Sequence, residues 1–298
     1  MKTIRINEVG PRDGLQSQAR HLDLAQRQQL VEALFRAGLK HVEAGSFVSP
    51  KAVPQMAGTG ELLRALQIPV DAQVSVLVPN IKGYELARDA GAGTVALVAC
   101  ATETMNQKNI GMGLEQTFAV AEAIIARGKA EGVRVQAYLS VAFECPFEGA
   151  VADATIIGQA RQLADWGADE VVIADTIGAA NPAGVRALMD VLVAEHGVER
   201  LACHFHDTRA LGLANIFAAI ESGVRKFDSA IGGLGGCPFA PGAKGNVATE
   251  DVVMLCEQMG FNTGVDMPAL LDAVQLASEL TGSTQGGRAH YWLSNNAA

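Results

Sequence analysis

The chain has 298 residues, 49% of them hydrophobic and 18% charged, with a net charge of −9. That length and apolar content suit a large core, and barrels of about 250 residues are often single units. Lys and Arg are scattered, which argues against a nucleic-acid partner because phosphate contacts need a basic face, while an anionic small ligand stays open in a local pocket.

The first ten residues, "MKTIRINEVG", alternate polar and apolar and read as a strand, not a signal peptide. Strand-like runs follow at 3–9, 41–47, 71–78, 94–100, 133–140, 169–175, 200–206 and 225–231. Helical apolar spacing fills the gaps, as in 23–38 and 115–132, and several of these stretches end in small-residue turns that lead into the next strand. Eight strand–helix units in one chain predict right-handed βαβ connections and an α/β fold, a closed (β/α)₈ TIM barrel. A doubly wound open sheet is the competing fold, weakened by the lack of G-x-G-x-x-G after the first strand. Residues 266–280 predict an additional C-terminal helix, and the tail from "TGSTQGG" onward reads as loop. The whole of 1–298 is expected to be one barrel domain, with 262–298 as a helical extension and tail.

The five cysteines, Cys100, Cys145, Cys203, Cys237 and Cys256, are odd in number and lack C-x-x-C spacing. This argues against a disulfide framework or thiolate zinc and for a reducing compartment, the cytoplasm. No apolar run approaches the roughly 18 residues of a membrane span, so no membrane partner is expected.

A barrel puts its chemistry at the C-terminal ends of its strands. The polar residues there are Arg12, Asp13, Glu43, Tyr138, Asp175, His204, His206 and Cys237. In "ACHFHDT" the period-two rule puts His204 and His206 on one face and Phe205 on the other. A lone histidine reads as a core residue bonded to backbone, but a pair at a barrel rim points to a cation. Asp13 is either a turn aspartate or a third ligand, and Asn246 either caps a helix or adds an amide oxygen. With no thiolate in the set, Mg²⁺ or Mn²⁺ is the expected ion. Arg12 either pairs structurally with Glu8 or Glu43 or serves the site, and Glu43 is open between buried structural acid and site carboxylate. The stretch 230–246 holds six glycines. It reads as a mouth loop in which Cys237 is either incidental or an acid–base group brought to substrate.

Six stretches, "EVGPRDGLQ", "SFVSPKAVPQMA", "DTIG", "HFHDT", "GLGGCPF" and "GNVATED", together resemble the 3-hydroxy-3-methylglutaryl-CoA lyase family. That family belongs to the DRE-TIM metallolyases, and the resemblance covers about residues 3 to 282. It implies a barrel, a divalent cation, an acyl-CoA thioester substrate, a homodimer and a place in leucine catabolism. Asp13, His204, His206 and Asn246 match the family's ligands, and Arg12 matches the arginine that polarises the thioester carbonyl. Glu43 matches a site carboxylate, and Asp175 and Cys237 match proton-transfer groups. Gln16, Ser46, Gln136 and Arg209 are expected against the substrate, and Tyr138 is either a barrel-wall aromatic or a further substrate contact. Coenzyme A needs polar partners, for which "NQKNIG" after the fourth strand offers Asn106, Lys108 and Asn109, with Lys51 and Lys82 as further options, each lysine being otherwise an ordinary solvated one.

Gln136 and Arg209 depart from the family, which carries arginine and an aromatic residue there. The exchange predicts either a re-sited carboxylate contact or a different acyl group, such as that of citramalyl-CoA or a longer-branched glutaryl-CoA. A condensing synthase of the same superfamily and a non-catalytic thioester-binding relative are the other readings. The "GLGGCP" loop argues against the synthase, and the full set of site residues argues against the non-catalytic relative.

Overall fold

In the computed structural model, which describes residues 2–236 and 245–296, eight parallel strands close a barrel. They are β1 (Arg5–Glu8), β2 (His41–Ser46), β3 (Gln73–Leu77), β4 (Thr94–Cys100), β5 (Arg134–Ser140), β6 (Glu170–Asp175), β7 (Leu201–Phe205) and β8 (Lys226–Ser229). Each lies inside the stretch that the alternation marked. The ring closes where β1 pairs with β8, Arg5 opposite Lys226 and Glu8 opposite Ser229. Closure removes the competing open sheet, because no barrel strand is left with a free edge.

The outer layer consists of α1 (Leu24–Arg36), α2 (Thr59–Ala65), α3 (Ile81–Asp89), α4 (Glu103–Asn109), α5 (Leu114–Glu131), α6 (Asp153–Trp166), α7 (Pro182–His196), α8 (Gly212–Glu221) and α9 (Thr249–Gln258). Local chemistry sets their ends. Asp23 and Gln26 form a reciprocal capping box at the start of α1. Gly132 closes α5 at φ +73°, a conformation open to glycine at little cost. The predicted extra helix is α10 (Met267–Thr281), capped by Asp266. The tail differs from expectation, because it forms a second helix, α11 (His290–Asn296), rather than loop. Only Leu293 of α11 is buried, so the segment carries no apolar period from which a helix could be read.

The main core lies between strands and helices, and a smaller one fills the barrel. The inner positions of β5 climb in layers. Gln136 is lowest, Tyr138 packs with Ala96, Val172 and Ala202 at mid-height, and Ser140 lies at the top. Among the described residues, no helix is long and apolar enough to cross a membrane.

Candidate active site and cation centre

β7 delivers His204 and His206 to the barrel mouth on one face, their Nε2 atoms 3.1 Å apart. After β1 the chain folds into a π-helical turn, Gly10–Gly14, whose amides at Arg12, Asp13 and Gly14 all reach the Val9 carbonyl. That turn brings Asp13 across to the histidines. Ligand atoms of Asp13, His204 and His206 all lie within 4.8 Å of one another. His206 also forms an antiparallel bridge with Asn246, whose Nδ2 donates to Asp13 Oδ2 at 2.7 Å.

The tautomer of His204 follows from its partner. Its Nδ1 lies 3.0 Å from Asp228 Oδ2, so Nδ1–H donates and the Nε2 lone pair faces His206. Asp228 also accepts from Tyr138 (2.7 Å) and Asn7 (2.9 Å). Burial opposes a charge on His204, but Asp228 outweighs it and the pKa rises. Burial and the neighbouring His204 push His206 down to about 3. Burial would raise Asp13, yet Arg12 and the two histidines bring it down to about 2.

Three buried atoms in this cluster have no hydrogen-bond partner: His206 Nδ1, Asn246 Oδ1 and Glu43 Oε1. Two imidazole Nε2 atoms facing each other, an ionised carboxylate and an orphaned amide oxygen make a donor set suited to a hard or borderline divalent cation. The residues therefore fit the ion that the sequence predicts.

Arg12 is buried between two acids, with Nε on Glu43 Oε2 (2.6 Å) and Nη1 on Asp13 Oδ1 (2.7 Å). Burial opposes its charge, but Glu43 and Asp13 hold the guanidinium well above its ordinary range. The structural partner is thus Glu43 and not Glu8. Burial lifts Glu43 to about 7, against the pull of Arg12. Gln16 Nε2 donates to Asp13 Oδ1 at 3.0 Å, which places it beside the cluster. Ser46 ends β2, buried, its hydroxyl accepting the Val48 amide. Asp175 ends β6 with both oxygens accepting backbone amides, from Ala179 (2.8 Å) and Ala180 (3.0 Å). Burial raises it to about 6 against those two donors.

Other expected residues stand elsewhere. Tyr138 packs edge-on against His204 in the barrel wall, its hydroxyl donating to Asp228. Gln136 is a layer lower, donating to Glu170 beside Arg5 and Lys226, and is not at the mouth. Asn106 is wholly buried, and its amide bonds the backbone of Cys100 and Thr102. Lys108 is exposed on α4. Arg209 is half-exposed at the rim and pairs with Glu144 at 3.0 Å. Cys237 lies outside the described residues.

Sequence reasoning missed Asp228 and Glu8. Glu8 accepts from Gly10, Ile231 and Thr249, which joins the first and last strand ends. An acidic residue inside an apolar strand was the available signal in both "RINEV" and "KFDSA".

Residues 3–277 match the HMGL-like family model. The hydroxymethylglutaryl-CoA lyase of Pseudomonas mevalonii is 41% identical over 298 residues, covering 100% of this chain and 99% of that protein. The 3-hydroxy-3-isohexenylglutaryl-CoA/hydroxy-methylglutaryl-CoA lyase of Pseudomonas aeruginosa is 42% identical, covering 97% and 96%. Among solved structures, an HMG-CoA lyase from Acinetobacter baumannii in complex with coenzyme A and 3-methylmalate superposes with a TM-score of 0.93 at 36% identity, covering 97% of this chain and 94% of that one.

Proposed function

The chain belongs to the HMGL-like family, and from that premise we propose that it is a divalent-cation-dependent carbon–carbon lyase cleaving 3-hydroxy-3-methylglutaryl-CoA to acetyl-CoA and acetoacetate. The observation that carries this reading is the convergence of Asp13, His204 and His206 beside the buried guanidinium of Arg12.

Asp13, His204, His206 and Asn246 would hold Mg²⁺ or Mn²⁺. Such an ion supplies Lewis-acid polarisation of the substrate hydroxyl. Arg12, fixed by Glu43 and Asp13, is placed to take the negative charge that grows on the thioester oxygen. Asp175, with a pKa of about 6, is largely ionised at neutral pH and can accept the hydroxyl proton. Cys237 is assigned by resemblance as the donor that protonates the acetyl-CoA carbon. Gln16, bonded to Asp13, and Ser46, at the end of β2, are assigned to substrate, and exposed Lys108 to the coenzyme.

A second acyl group is favoured by the Pseudomonas aeruginosa relative, whose name carries both the isohexenyl and the methyl substrate. Arg209 is the residue assigned to that choice, because it stands half-exposed at the rim while the Gln136 amide is committed to Glu170. The four described cysteines are buried free thiols, which suits a cytoplasmic setting. The homodimer and the place in leucine catabolism rest on resemblance alone.

Incubating the purified protein and Mg²⁺ with a panel of 3-hydroxyacyl-CoA thioesters, with products identified by mass spectrometry, tests the reading. Acetyl-CoA and acetoacetate are expected from the methylglutaryl thioester. Binding without cleavage across the panel would favour a non-catalytic relative, and condensation with a 2-oxo acid would favour a synthase.

A further inference from the structure

Between α10 and α11 the chain crosses the C-terminal ends of β7 and β8 as a short strap, 285–289. Four successive amides of this strap are bound. Gly286 donates to the Gly232 carbonyl (3.0 Å), and Gly287 to Glu250 Oε1 (2.7 Å). Arg288 and Ala289 donate to the two oxygens of Asp251, at 2.7 and 3.0 Å. The side chain of Arg288 continues inward, where its Nε donates to Asp207.

Each anchor adjoins the proposed cation centre. Asp207 follows His206 directly, and its own amide donates to the Gly245 carbonyl next to Asn246 (2.9 Å). Glu250 and Asp251 open α9, four and five positions after Asn246. Gly232 precedes Leu234, whose carbonyl accepts from the Asn246 amide (3.2 Å). One strap therefore ties together three segments on which His204, His206 and Asn246 depend. Both oxygens of buried Asp251 are committed to strap amides, so displacing the strap would leave a buried carboxylate without partners. The fit is close, since a Cβ on Gly287 would stand 2.6 Å from the Asp251 carboxylate.

We infer that Arg288 is a positioning residue of the cation centre, fixing through Asp207 the setting of His206, and that the strap holds the His206 and Asn246 segments in register. The inference rests on the cation reading proposed above. Lining up ligands from outside the coordination sphere typically changes metal affinity by about 10- to 100-fold.

The test is calorimetric titration with Mn²⁺ of the intact protein and of Arg288→Ala, Arg288→Lys, Gly287→Ala and the surface control Arg161→Ala. Thioester kcat, KM and Tm are measured alongside. Arg288→Ala is expected to weaken Mn²⁺ binding about tenfold or more and to lower kcat, with KM within about twofold. Arg288→Lys should recover much of the loss, Gly287→Ala should reproduce it from the backbone side, and Arg161→Ala should resemble the parent. Unchanged Mn²⁺ affinity in Arg288→Ala, or in Gly287→Ala should the first variant not fold, overturns the inference. So does a loss in Arg288→Ala that Arg288→Lys does not relieve. Failure of the parent protein to bind Mn²⁺ removes the cation reading itself, an outcome distinct from parent binding with indifferent variants.

Discussion

Asp228 accepts the Nδ1–H of His204 at 3.0 Å, and this contact decides which nitrogen of the ring faces Asp13 and His206. Asp228 in turn is held by Tyr138 and Asn7 from the layer below. The barrel interior thus supports the site from beneath, as a carboxylate–histidine pair does in metal centres.

Asp228→Asn should damage the centre without removing a ligand. The new amide can donate to Nδ1, which turns the Nε2 position into a protonated nitrogen. Mn²⁺ affinity is expected to fall by about 10- to 100-fold, read by titration, with near-native Tm.

Arg12→Gln should separate charge stabilisation from cation binding. Turnover is expected to fall on the order of 10²–10³-fold, while Mn²⁺ affinity changes little. Glu43, already at about 7, loses its cation and becomes neutral, so the fold should tolerate the change. Steady-state kinetics together with metal titration read both halves. Undiminished turnover would take Arg12 out of the mechanism.

Asp175, proposed above as the base, should set the acid limb of the pH–rate profile. A base must be ionised to accept a proton, and burial puts this carboxyl at about 6. The rate constant kcat/KM should therefore rise through about pH 6 and level above it. In Asp175→Asn the limb should vanish together with most of the rate. A parent profile flat from about pH 5 to 8 would count against Asp175 as the base.

Glu8 and Glu250 make stability fall with rising pH. Burial raises both to about 7 from an ordinary 4.5. Between those values the folded protein binds more protons than the unfolded chain, so the stabilisation is full below the unfolded value and lost as pH rises through the folded one. Tm should decline from about pH 5 to about pH 7.5. Glu8→Gln should shallow that decline, because an amide can still accept from Gly10 and Ile231 and donate to Thr249.

What the sequence made legible was periodicity and local pairing. All eight strands lay inside their marked stretches, because alternation and helix caps are local signals. The histidine pair was legible for the same reason, since period two places both rings on one face. Depth in the barrel was not. Gln136 and Tyr138 share a face with the mouth residues, but only the ladder register shows that they sit below it. The burial of Asn106 was not legible, because nothing local separates an exposed helix asparagine from one folded back onto the chain. The contacts of Asp228 and Arg288 are distant in sequence, 24 residues to His204 and 81 to Asp207, so an acid in an apolar strand flags Asp228 without naming its partner, and nothing local flags Arg288.

The most direct measurement is a Mn²⁺ titration of the parent protein and of Asp13→Asn, followed by calorimetry or electron paramagnetic resonance. A single tight ion per chain is predicted for the parent, with affinity reduced more than about 100-fold in the variant. Equal affinity in both, or no binding by the parent, would contradict a shared cation at Asp13, His204 and His206.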